Sequence, residues 1–181
     1  MKRILLGVTG SAAAPKAVEL AEKLTKNGYA VDVILTKAAQ KFIGADRFAC
    51  ATRRIVHTDA VLDGNPPEAK YLALARDADL AVVAPATANT IAKLASGAAD
   101  NLLTLTLLAL EDTPLLICPS MDAPVYRSPM TQRNRRTLEN DGCYFFGPRE
   151  TERGKGALAE TDAIVAEIGD MLDPTLWGTY I

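Results

Sequence analysis

LAVVAPATANTIAKLASGAADNLLT, residues 80–104, changes pattern in its middle. Leu80 to Pro85 is a short, unbroken apolar run, the mark of a β-strand covered on both faces. From Thr90 the chain reads as helix. Between them lie Ala86, Thr87, Ala88 and Asn89, small or polar residues at the strand's carboxyl end. A buried strand that leads through a small polar turn into a helix is half of a parallel β/α unit.

The unit repeats along the chain. Residues 3–10, RILLGVTG, are a short apolar run ending in Gly. Residues 11–28 carry Val18, Leu20, Ala21 and Leu24 at helical spacing, with Ser11 placed to cap the helix and Gly28 to stop it. Residues 29–36, YAVDVILT, are rich in β-branched side chains and predict a second strand. Residues 37–44 predict a short helix. Residues 45–69 give no clear element beyond the loop signal GNPPEA at 64–69. A helix over 69–78, a third strand over 79–85 and a mostly helical stretch over 89–111, broken near Gly97, come next. A fourth strand is expected over 113–121. Residues 128–142 predict a helix with Ser128 as cap and Gly142 as stop, followed by a fifth strand over 143–148 and a closing helix over 160–172.

Apolar strands that alternate with helices imply an α/β fold: a three-layer, doubly wound parallel sheet of flavodoxin-like or Rossmann-like kind. A single domain is expected over 1–181. Its core spans about 2–172, and the apolar groups of a C-terminal tail, 173–181, suit a subunit contact.

Composition narrows the function. The chain has 181 residues, 49% of them apolar, which suits one soluble domain with a real core. A net charge of −2 with no basic block argues against nucleic acid as the main partner. The apolar run near the start is about five residues, too short for a signal segment or a membrane span. Cys50, Cys118 and Cys143 are odd in number and lack metal-ligand spacing, so buried thiols in a reducing, cytoplasmic setting are expected. His57 is the only histidine, and no metal is expected.

In open α/β sheets, ligands bind beyond the carboxyl ends of the strands. Those ends read GVTGSAA, LTKAAQKF, PATANT, PSMDAPVY and GPRETERGKG. The first three share small and hydroxyl residues beside helix starts, where free N–H groups suit a phosphate. Ser11, Thr36, Thr87 and Thr90 can add hydroxyl donors. Each of these motifs taken alone also suits plain helix capping. No strand end carries a P-loop lysine, and no G-x-G-x-x-G follows the first strand. A mononucleotide with one phosphate fits better, and FMN is the candidate.

GVTGS with Lys16, TKAAQKFI, PATANTIAKLASGAADNLL and PSM followed by a polar residue resemble the homo-oligomeric flavin-containing cysteine decarboxylases. That family includes phosphopantothenoylcysteine decarboxylase of coenzyme A synthesis and the peptidyl-cysteine decarboxylases of lantibiotic maturation. The likeness covers about residues 2–164. It implies FMN at a trimer interface, with trimers that often form dodecamers. By matching position, Gly10, Ser11, Thr36, Phe42, Ala86, Thr87, Asn89 and Thr90 would line the flavin, with Asp100 and Asn101 helping to build the site near the interface. The implied reaction is oxidative decarboxylation of a thiol substrate, phosphopantothenoylcysteine or a peptide ending in cysteine. The implied product is an enethiol or, after the electrons return, a thiol.

Three positions depart from the family pattern, all on the substrate side. The family's active-site histidine lies fourteen residues before the motif's proline, where this chain has Tyr71. Tyrosine, with an ordinary pKa of about 10, is a poor base; Tyr71 suits either a hydrogen bond to flavin or substrate, or ring packing. The family's P-x-M-N, whose Asn contacts the substrate carboxylate, reads PSMD here. An ionised Asp122 about 4 Å from a carboxylate costs several kcal/mol. Asp122 is therefore protonated, or faces a cationic or hydroxyl-bearing group, or caps the following turn. The family's flap cysteine is absent from GPRETERGKGALAE, and Ala157 and Leu158 replace an Arg-Met pair. Tyr71, Met121 and Asp122 are the candidate catalytic residues. The alternatives are an FMN-dependent oxidoreductase without decarboxylation and an inactive regulatory relative.

Overall fold

The computed structural model describes residues 1–63, 70–152, 154–173 and 175. Six strands form one parallel sheet: β1 (Arg3–Val8), β2 (Ala30–Leu35), β3 (Val56–His57), β4 (Leu80–Ala86), β5 (Leu115–Pro119) and β6 (Tyr144–Phe145). Their spatial order is β3-β2-β1-β4-β5-β6, and every pairing is parallel. The expected three-layer doubly wound α/β fold is borne out.

The strands read as continuous apolar runs because both faces are covered. Alternate residues serve opposite layers. Ile4, Leu6, Val8, Val31, Val33, Leu80 and Val82 pack against α1 (Ala14–Lys26), α2 (Ala45–Thr52) and the closing helix α8 (Thr161–Leu172). Leu5, Ile34, Ala81, Val83 and Ile117 face α3 (Lys70–Asp77), α4 (Ala88–Ser96), α5 (Leu102–Leu108) and α7 (Pro129–Asn140). The winding direction reverses between β1 and β4, which leaves a crevice at the carboxyl ends of these two strands.

Several boundaries differ from the sequence expectation. The helix expected over 37–44 is a single 3-10 turn, Ala39–Lys41, and the true helix α2 follows it. The unread stretch also supplies β3 and a 3-10 segment, Asp59–Asp63. The helical stretch over 89–111 splits into α4 and α5, because Gly97 takes a left-handed φ of 71°. Gly28 and Gly142 end their helices with φ 86° and 89°, as expected. Ser128 precedes α7 but makes no side-chain cap bond. A short helix, α6 (Ala123–Arg127), and an antiparallel hairpin of β7 (Arg149–Thr151) and β8 (Gly154–Ala157) lie where loop was expected.

The thiols also need correcting. Cys118 is buried and Cys143 half-buried, but Cys50 is exposed. The loop signal at 64–69 lies outside the described residues, as does most of the 173–181 tail. No described helix is long and apolar enough to cross a membrane. No group of metal-ligating side chains occurs among the described residues.

Candidate active site

Three strand-end loops meet at the crevice, and long-range hydrogen bonds hold them together. The Thr9 hydroxyl, 1% exposed, donates to the Pro85 carbonyl at 2.7 Å and accepts from the Thr87 N–H at 3.0 Å. This ties the end of β1 to the end of β4. Ser11 Oγ donates to Ser120 Oγ at 3.1 Å and accepts from the Ala13 N–H at 3.2 Å. The Ser120 N–H donates to the Ala86 carbonyl at 2.9 Å, tying β5 to β4. Gly10 permits the remaining approach. A Cβ there would lie 2.5 Å from the Ala38 Cβ, so a side chain would push the loop after β2 away.

The loops enclose a cavity of about 900 Å³, at the upper end of the usual range for cofactor pockets. Gly10, Ser11, Lys16, Thr87, Asn89 and Ser120 line one part of it. Met121, Asp122, α6 and the β7–β8 hairpin line the rest. The hairpin docks through the Met121 N–H, which donates to the Gly156 carbonyl at 2.9 Å. A smaller cavity of about 320 Å³, lined by Thr36, Lys37, Ala38, Lys41 and Asn101, shares Asn89 with the first. Asn89 thus stands where the two meet.

Thr87 caps α4, accepting the Thr90 N–H at 3.2 Å. This cap leaves the start of α4, with Ala88 and Asn89, facing the cavity. Asn101 caps α5 by accepting the Thr104 N–H at 2.9 Å. Asp122 occupies the N-cap position of α6, yet its side chain makes no cap bond. The turn-capping reading of Asp122 therefore fails, and Asp122 lines the cavity.

The structure brings together Gly10, Ser11, Thr87, Asn89, Met121 and Asp122, and places Thr36 and Asn101 in the adjoining cavity. The other candidates lie apart. Ala86 is fully buried in β4, behind the cavity wall. Thr90 is buried, with its hydroxyl 3.1 Å from that of Thr87. Phe42 is half exposed and lines neither cavity. Asp100 pairs with Lys93 at 2.7 Å. Tyr71, on α3, is half-buried against the second apolar layer and does not line the cavity of its own chain.

Sequence reading missed Thr9, Ser120 and Gly156. Thr9 stands beside the GS of its loop, and Ser120 stands within PSMD. Each looked like an ordinary strand end, because its partner lies far away in sequence.

No cysteine lines the cavity among the described residues. Burial pushes the Cys118 thiol far above its ordinary range, and the same cause, with a smaller push from Asp141, raises Cys143. Neither is a ready thiolate.

The chain resembles known proteins over nearly its whole length. The Flavoprotein family matches residues 1–173. A probable phosphopantothenoylcysteine decarboxylase of Streptococcus mutans is 39% identical over 177 residues, covering 94% of this chain and 99% of the relative. The solved structure of a PPC decarboxylase mutant complexed with pantothenoylaminoethenethiol superposes with a TM-score of 0.85, at 29% identity over 93% of this chain and 96% of that one. That of SpaF, an FMN-dependent cysteine decarboxylase, gives 0.81 at 33% identity, covering 92% and 94%. The chain spans under half the length of the bifunctional coenzyme A biosynthesis proteins that it also matches, 41% for the one from Bacillus subtilis. A doubly wound sheet whose switch-point loops enclose a cofactor-sized cavity agrees with these likenesses, and the chain belongs to the Flavoprotein family.

Proposed function

We propose that the chain is an FMN-dependent enzyme that oxidatively decarboxylates a cysteine-containing thiol and releases an enethiol. The observation that carries this reading is the convergence of the loops after β1, β4 and β5 on one cavity. The residues present fit FMN. Gly10 keeps the first two loops in close approach, and hydroxyl and amide side chains supply polar partners around the start of α4. Ser11, Thr87 and Asn89 would hold the cofactor, with Thr36 and Asn101 reached through the adjoining cavity. Bound FMN supplies a two-electron acceptor.

The chain's own groups do the rest. Met121, Asp122 and the β7–β8 hairpin form the substrate side. Lys16 is the one cation and Asp122 the one acid among the described lining residues. With no cysteine on the described lining, electrons are not returned to the product by a chain thiol, which favours the enethiol. Tyr71 lies outside its own chain's cavity; a homo-oligomer, a trimer or a dodecamer built from trimers, in which the site is shared between copies would give it a cavity to face.

Incubation with phosphopantothenoylcysteine or a peptide ending in cysteine, followed by mass spectrometry, tests the reading. Loss of carbon dioxide together with two hydrogens is the expected result. Loss of two hydrogens without carbon dioxide would assign an oxidoreductase on the same scaffold. An unchanged substrate with FMN bound would refute the proposed reaction.

A further inference from the structure

A second large cavity, of about 600 Å³, lies away from the strand ends that build the active site. It borders the edge strand β3 and is walled by α2, α3 and the early residues of β1 and β2. Three ion pairs occupy part of its wall, the longest from Arg3 Nε to Asp32 Oδ2 at 4.0 Å. Arg54 directs Nε and Nη2 to Asp32 Oδ1, each at 2.8 Å. Arg3 Nη1 lies 2.6 Å from Asp77 Oδ2. These four charges offset one another.

Arg53 and Lys70 line the same cavity and form no ion pair with any described residue. Among the described residues, the wall therefore carries two positive charges with no ion-pair partner. His57 also lines it and is buried, and its imidazole makes no hydrogen bond to a described residue. Arg53 adds a separate observation. It is the one non-glycine residue with a positive φ, 55°, among the described residues, and it ends α2 where glycine is the usual choice. Backbone strain held at a cavity wall points to a function for the side chain that bears it.

We propose that this cavity binds a small dianion of the phosphate monoester class, held by Arg53 and Lys70 with His57 as a third donor. Two spare cations match a ligand of charge −2, and guanidinium and ammonium groups form short, charge-assisted bonds to phosphate oxygens. The site is independent of the flavin reading.

Lys70, Asp32 and Arg54 act electrostatically on His57, and Arg3 of β1, Arg53 after α2 and Asp77 of α3 line the same cavity. Burial, then Lys70, hold the imidazole below its ordinary pKa against a smaller opposing pull from Asp32. A dianion beside it shifts this balance toward the imidazolium, which can donate from both nitrogens.

His57 is the chain's only histidine, so one imidazole signal reports the site. The full-length protein, as purified and with no FMN added, is dialysed free of phosphate and titrated with inorganic phosphate and, at equal ionic strength, with chloride, while the His57 resonances are followed by NMR. Phosphate is expected to give a saturable shift and a raised His57 pKa, and chloride neither. Arg53→Gly suits the local φ, so it should melt no lower than wild type while weakening phosphate about tenfold, the loss of one charge-assisted bond. Lys70→Gln should weaken it similarly, and Arg53→Lys should retain most of the affinity. Identical His57 titrations in phosphate and chloride would overturn the proposal. So would wild-type phosphate affinity in Arg53→Gly, or a lowered melting temperature in that variant, which would make Arg53 a structural residue.

Discussion

Thr9→Val replaces a buried hydroxyl with a methyl of similar shape and so isolates the link between β1 and β4. The Thr9 hydroxyl makes two hydrogen bonds, to the Pro85 carbonyl and from the Thr87 N–H. The Pro85 carbonyl keeps a partner in the variant, because the Thr9 N–H also donates to it at 3.3 Å. The Thr87 N–H loses its acceptor. The Thr87 N–H is part-buried, so orphaning it costs about 1 kcal/mol, and the lost Thr9–Pro85 side-chain bond adds about 1 kcal/mol. For a chain of this length each kcal/mol lowers Tm by about 2–4 °C, so a total loss of about 2 kcal/mol predicts a fall of about 4–8 °C. Thr9→Ser keeps the hydroxyl and removes one methyl, a cost of about 1 kcal/mol, or about 2–4 °C. The two variants should separate further in FMN retention, since Thr87 opens α4 at the cavity wall. Val should release FMN faster than Ser in a fluorescence dissociation assay. Equal melting and equal release for the two variants would refute the reasoning, because the hydroxyl would then not hold the loops together.

Asn89→Ala should lower the FMN content of purified protein with little change in melting temperature, because Asn89 borders both cavities and stands outside the apolar core; unchanged stoichiometry on absorbance would count against the placement of the cofactor. Gly156→Ala should free the β7–β8 hairpin, since an added Cβ would collide with the Met121 carbonyl oxygen; faster proteolysis at 149–157 and lost turnover, with FMN retained, are the expected signs. Tyr71→His should fold normally, because Tyr71 is only half-buried, and should raise turnover on a cysteine substrate in a shared site. Asp79 is held below its ordinary pKa chiefly by the Arg3 N–H at 2.7 Å and then by Lys2. Its stabilisation is therefore present above the ordinary carboxylate pKa and is lost as pH falls through the lowered one. Being partly exposed, the group contributes under about 1 kcal/mol. Asp79→Asn should accordingly be less stable in urea at pH 7, with the gap closing below about pH 4.

The sheet was legible because both-face burial writes itself into the sequence. Leu80 to Ala86 is entirely buried, and no polar residue interrupts it. The helix α1 was legible through periodic apolar positions and its terminal glycine, and α7 through its flanking Ser128 and Gly142. What escaped notice was short or stabilised from afar. β3 is two residues long, and α2 buries only Phe48 and Thr52, too few for a period to register. α6 and the hairpin are held against each other across a long stretch of chain, with Gly156 meeting Met121. The site's polar frame has the same character. Ser11 and Ser120 are 109 residues apart, and Thr9 and Pro85 are 76 apart, so no local pattern announces either contact. The motif residues that did gather at the cavity are those at helix starts, where topology alone sets the position. Phe42, Asp100 and Tyr71 were carried over by likeness, and within one chain they lie outside the cavity.

The central claim is that the loops after β1, β4 and β5 form a flavin cradle completed by a neighbouring copy of the chain. Its most direct measurement is light scattering with simultaneous absorbance on the protein saturated with FMN and passed through size exclusion. One FMN per chain, co-eluting with a trimer or a multiple of it, is the predicted result. A monomer that elutes without FMN would contradict the account.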